Sequence, residues 1–103
     1  MAQFVKVARV SEIPSGQGIS VEVGGRQVAV FNVDGAFHAL DGVCQHQGGP
    51  LGEGELSGTV VTCPWHGWEY DVTTGTNTLD SDVRVDTFEV RLDGDDILVK
   101  VHP

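Results

Sequence analysis

The stretch from Cys44 to His66 opens with Cys44-Gln45-His46 and closes with Cys63-Pro64-Trp65-His66. Sixteen residues separate His46 from Cys63. Each short segment supplies one thiol and one imidazole. Two thiolates and two imidazoles, drawn from two loops, complete the ligand set of a metal centre. These are the only two cysteines in the chain. A disulfide between them would leave the flanking histidines unexplained, and a reducing cytosol disfavours it.

Three centres suit these ligands. Zinc takes two cysteines and two histidines in a closed tetrahedral site, which would make the chain a zinc-stabilised β module for protein recognition. A mononuclear iron with the same ligands has no evident role. A [2Fe–2S] cluster with cysteines on one iron and histidines on the other is the third. Donor type alone does not separate zinc from iron. Zinc sites favour a cysteine pair and a histidine pair, each within one segment. Here each segment gives one of each, so each loop can serve both irons of a dinuclear unit.

The residues around the ligands differ from the rest of the chain. Between Asp41 and Gly58 stand Gly42, Gly48, Gly49, Gly52, Gly54, Gly58 and Pro50. Such a segment cannot form a central strand. It suits a loop folded closely around a small inorganic group. Pro64 and Gly67 mark a second turn at the other ligand pair.

Outward from the ligands the pattern is all-β. Helical periodicity is absent, and short Val, Ile and Phe runs recur between Gly and Asp turns. Strands are predicted over 4–10, 19–23, 26–33, 36–40, 59–62, 68–72, 83–92 and 97–101. Gly24-Gly25 and Asp34-Gly35 mark two-residue hairpins, and Asp93-Gly94-Asp95-Asp96 marks the last one. Phe88, Val90 and Leu92 alternate with Glu89 and Arg91, predicting one buried and one wet face. The expectation is a small antiparallel β sandwich or open barrel. A single domain spans 1–103, with a metal-holding tip at about 41–80 inserted in a base of 1–40 and 81–103.

The chain has 103 residues and a formal net charge of −9. Its basic residues are Lys6, Arg9, Arg26, Arg84, Arg91 and Lys100, and none falls between Arg26 and Arg84. That interval carries Asp34, Asp41, Glu53, Glu55, Glu69, Asp71, Asp80 and Asp82. Acidic charge repels nucleic acid. It favours a basic protein partner and quickens encounter at low salt. No apolar run reaches the ~20 residues a membrane helix needs. The N-terminal residues carry no secretion-signal pattern, so the expected location is cytoplasmic, with no membrane contact. A small acidic carrier is expected to be a monomer.

Cys44-Gln45-His46-Gln47-Gly48-Gly49-Pro50-Leu51 and Cys63-Pro64-Trp65-His66-Gly67-Trp68-Glu69-Tyr70-Asp71 resemble the two cluster-binding loops of Rieske proteins. Asp71-Val72-Thr73-Thr74-Gly75 extends the similarity. The resemblance implies one [2Fe–2S] cluster, with Cys44 and Cys63 on the inner iron and His46 and His66 on the outer one. Neutral imidazoles leave such a cluster less negative than an all-cysteine one, which raises its potential.

Departures from the family pattern carry information. Respiratory Rieske proteins have two further cysteines that join the loops; Gly49 and Trp65 stand at those positions. They place a serine, which donates to a bridging sulfide, where this chain has Trp68. Tyr70 matches their tyrosine that hydrogen-bonds a ligand sulfur. Fewer donors imply a lower potential. The chain resembles the small ferredoxins of bacterial ring-hydroxylating dioxygenase systems. By that resemblance it is not itself an enzyme. It is expected to carry electrons from an NAD(P)H-dependent flavoprotein reductase to a terminal oxygenase. A diiron monooxygenase or nitrite reductase system is the alternative setting.

No Ser-His-Asp set, phosphate loop or substrate-pocket motif is present. His38 and His102 lack a partner at ligand spacing. Trp65, between two ligands, is expected to keep water from the cluster, and Trp68 to join a core strand.

Overall fold

The computed structural model describes residues 3–43, 50–65 and 67–101. These form two antiparallel sheets. β1 (Gln3–Arg9), β2 (Gly18–Val23), β3 (Arg26–Val33), β4 (Ala36–Asp41), β8 (Thr87–Asp93) and β9 (Asp96–Val101) make the larger, in the order β1-β9-β8-β4-β3-β2. β5 (Glu55–Ser57), β6 (Val60–Thr62) and β7 (Glu69–Asp71) make the smaller, in the order β5-β6-β7. Two 3-10 turns, Val10–Glu12 and Leu51–Glu53, complete the regular structure.

The hairpins fall where the turn residues predict. Val23 pairs with Arg26 around Gly24-Gly25, and Val33 with Ala36 around Asp34-Gly35. Both glycines of the first turn, and Asp34 and Gly35 of the second, have positive φ, as such two-residue turns require. Asp93 pairs with Asp96 to close the last hairpin.

Three expectations change. β5 lies within the glycine-rich stretch read as loop. It is a three-residue edge strand that pairs through its backbone with β6, so one half-buried leucine, Leu56, is its whole apolar signal. β8 begins at Thr87 rather than Val83. Residues 83–86 run alongside the bridged segment 75–77 instead, with Val85 N–H bonded to the Gly75 carbonyl and Asn77 N–H to the Val83 carbonyl. Leu92, expected on the buried face of β8, is 49% exposed at the end of the strand beside the hairpin turn, while Ile97 opposite it is fully buried.

β3 positions everything else. Val28, Ala29, Val30, Phe31 and Asn32 are buried in succession. Such a run signals a strand covered on both faces. Val28 and Val30 join Ala8, Ile13, Ala39, Ile97 and Val99 in the core of the large sheet. Ala29 and Phe31 face the other way and join Leu40, Leu51, Val61, Cys63, Tyr70, Val72 and Val85 in a second core. The second core glues the small sheet to β3 and β4. Asn32 serves as a polar tie: its Nδ2 donates to the Ile13 carbonyl at 2.8 Å, and its Oδ1 accepts from Gly35 N–H at 2.7 Å.

Arg26 closes the other side. Its Nη2 donates to Asp86 Oδ2 at 2.9 Å and Asp41 Oδ2 at 3.4 Å, and its guanidinium lies 4.9 Å from the Phe88 ring centroid. Among the described residues no helix is long and apolar enough to cross a membrane.

Candidate metal centre

The described residues on either side of 44–49 lie next to one another. Val43 and Pro50 pair in an antiparallel bridge, and Leu51 N–H bonds the Gly42 carbonyl at 2.9 Å. Leu51 is fully buried in the second core. Gly52 sits so close to β2 that a Cβ there would collide with Ser20 Oγ and the Ile19 carbonyl. The root of the first loop is therefore held on one side by core packing and on the other by backbone contact.

The second loop is a hairpin between β6 and β7. Thr62 pairs with Glu69, and Cys63 N–H donates to the Trp68 carbonyl at 2.7 Å. Gly67 turns the chain with φ of 74°. Cys63 is 1% exposed, in the same apolar cluster as Leu51, Val61 and Tyr70. The roots of both loops thus meet in one core. Glu55 pairs with Thr62, one residue before Cys63, which fixes the 51–54 turn beside the second loop.

This arrangement fits a thiolate-bound iron centre. A sulfur donor sits at the dry root of one loop, and the other loop starts from the same core. Of the four predicted ligands, Cys63 is described; Cys44, His46 and His66 lie outside the described residues. Accordingly, no cluster of three metal-binding side chains occurs among the described residues. His102 also lies outside them, and His38 sits half-buried opposite Phe31 on β4.

The tryptophans separate. Trp68 is partly buried against the second core. Trp65, expected to keep water from the cluster, is 50% exposed.

The acidic interval is also resolved in space. Asp41 is taken up by Arg26, and Asp34 occupies the β3–β4 turn of the large sheet. Glu53, Glu55, Glu69, Asp71, Asp80 and Asp82 lie in the sequence interval 50–83, which holds no lysine or arginine. Sequence reading did not single out the 77–83 loop. Its signal was the run Asn77-Thr78-Leu79-Asp80, in which Asn77 Oδ1 accepts from the N–H groups of Leu79 at 2.9 Å and Asp80 at 3.0 Å.

Residues 3–99 match the family model described as Rieske [2Fe–2S] domain. The biphenyl dioxygenase ferredoxin subunit of Pseudomonas sp. (strain KKS102) is 36% identical over 98 residues, covering 93% of this chain and 90% of that protein. The ferredoxin component of the alkene monooxygenase system of Xanthobacter autotrophicus (strain ATCC BAA-1158 / Py2) is 30% identical over 102 residues, covering 98% and 84%. A chain in the solved complex of reduced oxygenase and oxidized ferredoxin of carbazole 1,9a-dioxygenase aligns with a TM-score of 0.86 and 32% identity, covering 94% of this chain and 92% of that one.

Proposed function

The chain belongs to the Rieske [2Fe–2S] domain family, and from that membership we propose that it carries single electrons from an NAD(P)H-dependent flavoprotein reductase to a terminal, aromatic-ring-hydroxylating oxygenase. It holds one Rieske-type [2Fe–2S] cluster, which accepts and releases one electron when bound. Cys44 and Cys63 are the proposed ligands of the inner iron, His46 and His66 of the outer. The observation that carries this reading is Cys63 itself: buried in one core with Leu51, it ties the roots of both loops together. The small sheet and its loops form the proposed tip, on a base built by β1–β4, β8 and β9.

The chain's own residues do three things. Leu51, Val61 and Tyr70 exclude water from the sulfur side. Hydrogen bonds at the loop roots fix the ligand backbone before any partner arrives. The exposed acids raise the encounter rate with a basic docking face. The likeness to ferredoxin components supports the carrier role, and the solved oxygenase–ferredoxin complex supports the acceptor. A cytoplasmic monomer suits a carrier that must leave each partner.

The test is spectroscopic, then kinetic. Iron and sulfide analysis with the low-temperature EPR spectrum of the reduced protein should give two irons and two sulfides per chain and a Rieske signal. A protein holding zinc and no colour would end the reading. Oxygenase turnover with NADH and reductase should then depend on this chain.

Two measurements follow. Trp68 stands where respiratory Rieske proteins place a serine. A redox titration should therefore place the midpoint toward the low end of the Rieske span of about −150 to +300 mV. Raising ionic strength should slow electron transfer to the oxygenase, since exposed charges are screened beyond ~8–10 Å. An unchanged rate would remove the acids from the encounter.

A second reading keeps the carrier and changes the acceptor. The 30% identity to the alkene monooxygenase ferredoxin component supports a monooxygenase system. Comparing turnover with the two oxygenase types decides between them.

A further inference from the structure

A groove of about 570 Å³ runs beside the second loop, lined by Gly67, Trp68, Glu69, Asn77, Leu79, Asp80 and Val83. At its edge stands Leu79, 96% exposed. A single exposed leucine is ordinary on a protein surface. This one is unusual in how firmly its backbone is held. Asn77, itself 8% exposed, accepts from the N–H groups of Leu79 and Asp80 through Oδ1. Asn77 N–H bonds the Val83 carbonyl at 2.9 Å, and Val83 N–H bonds the Asp80 carbonyl at 3.0 Å. Thr78 is fixed twice to Glu69, by N–H to carbonyl at 3.0 Å and by Oγ1 to Oε1 at 3.2 Å. Asp80 Oδ1 accepts from Asp82 N–H at 3.0 Å.

We propose that Leu79 is a preorganised docking knob that inserts into an apolar socket on the terminal oxygenase, with lysines or arginines on the socket's rim facing Glu69 and Asp80. This rests on the carrier role proposed above. The occupant follows from chemistry and position. The groove is acidic, no cation lies between Arg26 and Arg84 in the sequence, and an apolar centre within a charged rim is the usual plan of a protein interface. Gly67, in the groove wall, directly follows His66, so a partner seated there meets the second loop. A backbone already fixed loses little entropy on docking, so a small contact can bind usefully and still release.

The test uses the intact, cluster-loaded chain. A panel of terminal oxygenase components, beginning with a biphenyl dioxygenase, is assayed with reductase, and the most active is retained. Leu79→Ser should raise the chain concentration for half-maximal turnover by about tenfold or more, the effect of forfeiting one buried leucine contact. Turnover at saturation, the visible spectrum and the midpoint should stay unchanged, and Leu79→Met should restore wild-type behaviour. A half-saturating concentration within twofold of wild type overturns the knob. An effect confined to the reductase half-reaction overturns the oxygenase as its occupant. Failure of the wild-type chain with every oxygenase in the panel overturns both this proposal and the carrier role.

Discussion

Cys63→Ala should yield a colourless protein without iron that supports no oxygenase turnover. Cys63 is 1% exposed at the root of the second loop, and no other described side chain could replace its sulfur. The variant should also melt earlier. Removing a buried side chain atom of this size costs about 1–2 kcal/mol. In a ~100-residue domain that lowers the melting temperature by roughly 5–15 °C. Loss of the metal cross-link between loops adds to the deficit, because ligand binding is part of the folding energy of a small metal domain. Cys63→Ser separates the two effects: it keeps most of the volume and should lose the iron all the same. A coloured Cys63→Ala protein with full iron would remove Cys63 from the ligand set.

Gly54→Ala should be the most damaging change away from the ligands. A Cβ at Gly54 would collide with the Thr62 carbonyl and press on the Leu51 carbonyl, both backbone and unable to rotate aside. Thr62 precedes Cys63, and Leu51 closes the first loop. The clash therefore pushes apart the two loop roots that the second core holds together. We expect a loss of about 3 kcal/mol or more, a fall in melting temperature of roughly 12 °C or more, and incomplete iron loading. Gly58→Ala is the control. Gly58 has φ of 61° with open space around it, so alanine meets only the left-handed backbone penalty of about 1–2 kcal/mol. Equal effects at both glycines would show that the close approach at Gly54 is unimportant. Calorimetry and iron analysis of the pair decide it.

Much of the fold was legible because its signals are local. Gly24-Gly25, Asp34-Gly35 and the 93–96 turn each name a hairpin through the backbone angles they permit, and β2, β3, β4 and β9 fall within a residue of expectation. β5 was not legible, because an edge strand of three residues needs no alternation. The late start of β8 was hidden too. Val83 and Val85 read as strand, yet their backbone groups are used by Asn77 and Gly75, a long-range pairing invisible in the local sequence. At the centre, residue types and spacing supply the four proposed ligands, of which only Cys63 lies among the described residues. They could not reveal that Leu51 and Cys63 share a core, or that Trp65 is half exposed. The groove at Leu79 escaped for the same reason: its walls come from β7 and a loop eight or more residues further on.

The five consecutive buried residues of β3 have a further consequence. One strand contributes alternate side chains to both cores, so the core that holds the small sheet rests on a strand that the large sheet's own core grips from the other face. The small sheet cannot swing away from β3 without opening the core that holds Leu51 and Cys63. Anchored in this way, the small sheet holds the root of the second loop at a set place relative to β3, so the ligand backbone there is fixed by the fold itself.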